Sequence, residues 1–302
     1  MSGLAPTTLP GRPASLRRRA AALLHRRPLV RLGLLLSAPM LWLVVAYLGA
    51  LFAMLLTAFW STDTFTGEVD RTFTWQNFQD LWTGEVYRTI ALRSVAVAAG
   101  VTVLCLAIAF PMAFYMAKVA RPRWRPYLLI AVLTPLWAAY LVKVYAWRVI
   151  LADDGLLNWA LGPLGARGPG YGLTATVLVL TYLWLPYMIL PIYTGLERLP
   201  DSLLDASGDL GAGTLRTLRR VVAPMVFPSI AAGSLFTFSL SLGDYITVKI
   251  VGGRGQLIGN VVYDNIGAAN DLPFAAAVAT VPVVVMLVYI AAVRRTGALE
   301  EL

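Results

Sequence analysis

Six stretches of the chain are apolar for long enough to cross a bilayer as helix, which takes about 20 residues at a rise of about 1.5 Å each. They cover 32–59, 94–117, 127–151, 173–196, 225–242 and 274–293. Between 244 and 271 apolar residues alternate with Gly, Asn and Asp, which predicts an outer loop or a re-entrant segment lining a cavity, not a seventh span. The prolines inside the spans, Pro111, Pro135, Pro186, Pro191 and Pro282, each remove a backbone donor and predict helix kinks, some of which could serve gating.

Composition agrees with this pattern. Of 302 residues 58% are hydrophobic and 14% charged, and the mean hydropathy is +0.70, too apolar for an ordinary soluble domain. The net charge of +9 does not point to nucleic acid, because the cations fall between the apolar runs and not along one soluble face. Their placement reports topology. Arg12, Arg17, Arg18, Arg19, Arg26, Arg27 and Arg31 precede the first span, and Lys118, Arg121, Arg123 and Arg125 fill the turn after the second. Arg198, Arg216, Arg219 and Arg220 follow the fourth, and Arg294 and Arg295 the sixth, whereas the alternate loops carry mainly Asp63, Asp70, Glu85, Asp153 and Asp154. Both termini are thus predicted to be cytoplasmic. The basic start is read as flanking an uncleaved first span, since the apolar stretch is about twice a signal h-region.

Chemistry within the chain is sparse. Cys105 is the single cysteine and His25 the single histidine, so neither an intrachain disulfide, a His/Cys metal cluster nor a Ser-His-Asp triad can be built. No Gly-x-x-x-x-Gly-Lys-Ser/Thr phosphate loop occurs, so any ATP, with its Mg, must bind elsewhere.

The cytoplasmic segment 197–224 is far longer than a connection between neighbouring helices requires. After Pro200, Ser202 and Asp205 form a capping-box-like pair, predicting a short helix bearing Leu203, Leu204 and Ala206. Gly211 suits its C-terminal turn, and a second helix is predicted from Thr214, carrying Arg216, Arg219 and Arg220 into cytoplasm. Asp205-Ala206-Ser207, then Gly211, Val221, Ala223 and Pro224, resemble at that spacing the EAA loop of ABC importer permeases: Glu-Ala-Ala, three residues, Gly, nine residues, aliphatic-x-aliphatic-Pro. Asp205 stands for Glu, Ser207 for Ala, and Ala223 for a larger aliphatic residue.

The resemblance extends over nearly the whole chain and is nearest to spermidine and putrescine permeases. It includes Pro135-Leu136-Trp137, Tyr145-Ala146-Trp147, Gly155-Leu156-Leu157-Asn158, Gly243-Asp244-Tyr245, Gly252-Gly253, Ile258-Gly259-Asn260 and Leu272-Pro273-Phe274. It implies an all-α integral membrane protein of the type I ABC importer transmembrane fold, with about six spans and a cytoplasmic coupling helix. Its implied organisation is a basic segment 1–31, a first span and outer loop 32–91, a permease core 92–293 and a tail 294–302.

The family's coupling loop maps here onto Leu204, Asp205, Ala206, Ser207, Asp209, Leu210, Gly211, Val221 and Pro224. The resemblance further implies a bacterial inner-membrane location and alternating access driven by two copies of a separate ATPase subunit. A second homologous permease and an extracytoplasmic solute-binding protein complete the implied complex.

For a polyamine, carboxylates backed by aromatic faces would suit passage, and Trp137, Tyr145, Trp147, Asp244 and Tyr245 are the candidates. For any one of the aromatics, interfacial anchoring or helix packing is the commoner role. Lys143 and Arg148 fit snorkelling near the outer end of the third span. If Lys143 instead faced the pathway, it would favour an anionic solute or require a carboxylate such as Asp153 or Asp154. Ferric iron, sulfate or an opine stay open as solutes, and an ion-coupled secondary transporter is the reading from another class.

Overall fold

The computed structural model describes residues 28–63 and 66–295; the basic start and the tail beyond Arg295 lie outside them. The chain divides into two units, Met1–Leu56 and Thr57–Leu302. In the first, α1 (Pro28–Leu43) passes through a wide turn of π-helix at Val44–Leu48 into α2 (Gly49–Thr57). The apolar stretch Leu35–Thr57 within it has the length and composition of a membrane span.

The second unit opens with a two-stranded antiparallel hairpin, β1 (Ser61–Thr62) and β2 (Val69–Asp70), followed by α3 (Gln76–Thr83). Asn77 holds this part together, its amide nitrogen donating to the Ala58 and Trp60 carbonyls at 2.9 and 2.7 Å. Thr62 donates to Asp271 at 2.8 Å, and the same carboxylate oxygen accepts the Phe274 N–H, capping α14 (Leu272–Arg295).

Three long helices make the core: α4 (Glu85–Phe114, prolonged by a π turn at Tyr115–Val119), α8 (Leu173–Arg198) and α11 (Ala223–Leu242). On α4, Val97, Val101, Cys105, Ala109, Ala113 and Ala117 recur every fourth residue and are all buried, forming one face of small side chains. Against that face lie Val179, Leu183, Met188 and Ile192 of α8. Small residues matter here because lipid tails are as apolar as the helices, so association depends on close packing. Gly233 of α11 is such a contact: a Cβ there would stand 2.9 Å from the Met188 sulfur and 3.3 Å from its Cα. The buried hydroxyls of Thr102, Thr181 and Thr237 each donate to the carbonyl four residues earlier, so none is left unpaired in the hydrocarbon layer.

Among the described residues five helical stretches are long and apolar enough to cross a membrane, and six if a bent pair counts as one. That pair corrects the third predicted span. It is not one helix but α5 (Arg125–Trp137) and α6 (Tyr140–Ile150), meeting at 92°. Ala138 and Ala139 have extended backbone (ψ 138° at both), three and four residues beyond Pro135, which itself remains helical. The other four predicted prolines, Pro111, Pro186, Pro191 and Pro282, also sit within continuous helices.

Past α6 come α7 (Leu156–Leu161) and a 3-10 turn at Gly162–Leu164. The segment between α11 and α14 is no seventh span: it folds as two short helices, α12 (Ile246–Val251) and α13 (Ile258–Gly267). Ser94 of α4 accepts the Ile258 N–H at 2.8 Å, which fixes the start of α13 to the core.

Candidate functional site: the coupling segment and the outer segment

Between α8 and α11 the chain makes α9 (Asp201–Asp209), α10 (Thr214–Thr217) and a π turn at Leu218–Val222 that runs into α11. Pro200 occupies the N-cap of α9 with no side-chain cap, which corrects the predicted capping box: Ser202 already lies inside the helix. The carboxylate at the helix start, Asp201, turns to Lys118 instead. The Lys118 ammonium, nearly buried at 8% side-chain exposure, donates to the Leu199 carbonyl at 2.5 Å and to Asp201 at 2.6 Å. The end of α4 therefore holds the start of α9. That hydrogen bond holds the Asp201 carboxyl below the ordinary carboxylate range.

The other end of α9 closes as the glycine predicted. Gly211 has φ +74°, its N–H reaches the Gly208 carbonyl at 2.8 Å, and Ala212 N–H reaches the Ser207 carbonyl at 3.0 Å. These two bonds are the Schellman pattern, which a left-handed residue makes possible. Ser207 and Thr217 share a side-chain hydrogen bond of 2.8 Å between α9 and α10. Leu204 packs on the main core, whereas Asp205, Ala206, Asp209 and Leu210 face outward. Leu210 and Leu215 are 88% and 80% exposed, apolar side chains left uncovered by the described residues. Arg216, Arg219 and Arg220, with the Gly211 to Leu215 turn, line a cleft of about 600 Å³. Val221 and Pro224 lie at the return of the chain into α11.

The five residues predicted to border a solute path do not gather in one place in this chain. Trp137 and Tyr145 are largely exposed, while Trp147 packs edge-on against Tyr182 beside the core. Asp244 is buried, and its carboxylate accepts from the Tyr140 hydroxyl, the Thr247 N–H (2.8 Å) and the Thr247 hydroxyl (3.1 Å). It thereby starts α12 and ties it to the first residue of α6. Tyr140 also stacks on Trp184 of α8, the centroids 6.1 Å apart. Lys143 pairs with neither Asp153 nor Asp154.

Tyr245 leads to a group that sequence reasoning missed. Its ring stacks on Tyr263 at 4.8 Å, and the Lys249 ammonium lies 3.9 Å from the Tyr263 ring centre and 2.7 Å from Asp264. Asn260, in the predicted Ile258-Gly259-Asn260 stretch, donates to the Tyr245 carbonyl at 3.0 Å and keeps α13 beside it. The missed signal was helical spacing: Tyr245 and Lys249 lie one turn apart at α12, Tyr263 and Asp264 side by side on α13.

Comparison with known proteins gives these features a family. Residues 105–295 match the model of binding-protein-dependent transport system inner membrane components. The chain is 43% identical to the inner membrane ABC transporter permease protein YdcU of Escherichia coli over 91% of its own length and 92% of that protein's. It is 34% identical to the spermidine/putrescine permease PotB of Haemophilus influenzae over 67% and 72%, and 32% identical to that of E. coli over 72% and 80%. In fold it resembles a bacterial ABC transporter involved in import of the acidic polysaccharide alginate (TM-score 0.65, 15% identity, 92% and 99% of the two chains). It also resembles the MetNI methionine ABC transporter (0.55, 16%, 71% and 97%). With five or six spans, a helix–glycine–helix segment in the expected register and relatives along nearly its full length, the chain belongs to the binding-protein-dependent inner membrane permeases of ABC importers.

Proposed function

We propose that this permease imports polyamines such as spermidine and putrescine, and that α9 couples its movement to a separate ATPase. One observation carries the coupling role: a short helix fixed at both ends, by Lys118 and by the Gly211 turn, presents Asp205, Asp209 and Leu210 outward with nothing among the described residues to cover them. A rigid projecting element transmits displacement, whereas a loose loop would absorb it.

The polyamine reading rests on the PotB relatives and on the chemistry of the outer segment. The Tyr263 ring, itself stacked on Tyr245, and Asp264 hold the Lys249 ammonium, and a carboxylate with an aromatic face is what an alkylammonium solute requires. Asp244 and Tyr245 border that region, with Trp137, Tyr145 and Trp147 on the elements before it.

In this reading the assembled importer has two ATPase copies, which bind ATP and Mg, a second homologous permease and an extracytoplasmic binding protein. Both termini are cytoplasmic, as is α9. Residues 92–293 form the permease core, preceded by a basic segment 1–31 and by a first span with its outer loop, 32–91. Residues 294–302 are a cytoplasmic tail in this reading.

The test is uptake by the reconstituted complex with its own binding protein. ATP-dependent accumulation of labelled spermidine or putrescine supports the reading; accumulation of sulfate, ferric iron or an opine instead contradicts the solute and leaves the coupling role standing.

A further inference from the structure

The turn joining α4 to α5 holds four cations, two of which are committed to polar groups of this chain. Lys118 is committed to Leu199 and Asp201, and Arg125 donates its Nε to the Ala120 carbonyl at 3.3 Å. Arg121 and Arg123 are exposed and make no ion pair among the described residues. Next to them, Trp124 and Tyr127 are 54% and 65% exposed with rings 5.9 Å apart, an aromatic pair of the kind that sits at headgroup level.

The helices leaving this turn, together with α8, wall an open apolar groove of about 300 Å³. Met112 and Met116 of the α4 end, Leu128 and Ala131 of α5, and Pro186 and Ile189 of α8 wall it. Met116 lies five residues before Arg121 and Leu128 five residues after Arg123, so both walls of the groove start within about two helical turns of the arginines along the chain. The groove then follows α5 from Leu128 to Pro135, roughly 10 Å of helix. A polar solute would leave its hydrogen-bonding groups unpaired against such walls. Hydrocarbon fits the inside, and an anion fits the mouth.

We infer that this groove holds an acyl chain of an anionic phospholipid, with Arg121 and Arg123 binding its phosphate. Guanidinium groups suit phosphate oxygens geometrically, and a basic site between spans on the cytoplasmic side selects anionic headgroups. The lipid lies along α5 just ahead of its 92° bend into α6, bracing the half-span that the bend leaves short.

The test places a photoreactive phenylalanine analogue at Ala131 in the complete transporter, reconstituted in nanodiscs with equal phosphatidylglycerol and phosphatidylcholine. Irradiation is expected to yield mainly the phosphatidylglycerol adduct, and R121Q with R123Q should lower the ratio of the two adducts by roughly 30-fold. Equal adducts in the wild type would make the groove ordinary lipid-facing surface, and an adduct to another subunit would make it an interface; either overturns the inference. Val132→Trp, which fills the cavity, should cut the lipid retained by the purified complex in native mass spectrometry. Unchanged retention in a complex recovered at wild-type yield overturns it too, and the two exposed arginines decide the matter should that variant fail to assemble.

Discussion

The hydroxyls of Ser207 and Thr217 lie 2.8 Å apart, one on each arm of the coupling segment. The bond makes α9 and α10 one unit across a turn that contains three glycine or alanine residues, Gly211, Ala212 and Gly213. Force applied at Leu210 therefore reaches α11 through hydrogen-bonded helix, and force applied at Asp201 reaches α4 through Lys118.

Gly211→Ala should weaken this unit without touching its exposed face. A Cβ meets no neighbour there, so the cost is purely that of φ +74° for an L-residue, about 1 kcal/mol. The expected result is faster amide hydrogen exchange at Leu210 and Ala212 with normal exchange in α8 and α11.

Lys118→Met removes the donor from the buried Leu199 carbonyl, a loss of about 1–3 kcal/mol locally. Asp201→Asn should have the smaller effect, because that carboxylate is 77% exposed. The pH dependence has a definite sign. Asp201 has its pKa depressed in the folded chain, so its contribution is present above its unfolded value near 3.8 and is lost as pH falls through the lower folded value. Hydrogen exchange of α9 in wild type and Asp201→Asn should differ at neutral pH and converge in that acid range.

Gly233→Leu should separate α11 from α8. The added side chain has Met188 in its way, backbone included, and overpacking of this kind costs about 1–3 kcal/mol. A lower melting temperature of the purified complex, with no change in the coupling segment's exchange, is the expected outcome.

Asp264→Asn leaves Lys249 an unpaired cation beside Tyr245 and Tyr263. If the solute is a polyamine, that charge repels it, so KM for spermidine should rise several-fold and the rise should shrink at high salt. A KM indifferent to both the substitution and the ionic strength would remove the outer segment from the path.

The spans were legible because bilayer thickness sets a length that an apolar run must meet. The break between α5 and α6 was not, because it falls beyond Pro135 at two alanines, and its anchor is distant in sequence: Tyr140 bonded to Asp244 and stacked on Trp184. The two short helices between α8 and α11 were legible from their polar and apolar spacing, and the turn between them from Gly211. The helix start was misread for a similar reason, since the partner of Asp201 is Lys118, contributed by another span. The Lys249, Tyr263 and Asp264 group was hidden in a stretch read as an outer loop or a re-entrant segment, because helices of six and ten residues separated by Gly252, Gly253 and Gly255 are too short to show a helical period.

The central claim is that α9 docks the ATPase, and Leu210→Arg tests it most directly, since an 88% exposed side chain can change without disturbing the fold. Co-expressed with its ATPase and second permease, the variant should keep the permease partner and lose the ATPase on purification, with solute-stimulated ATP hydrolysis abolished. Full ATPase recovery with wild-type transport would contradict the claim and reduce Asp205 to Pro224 to an ordinary connection.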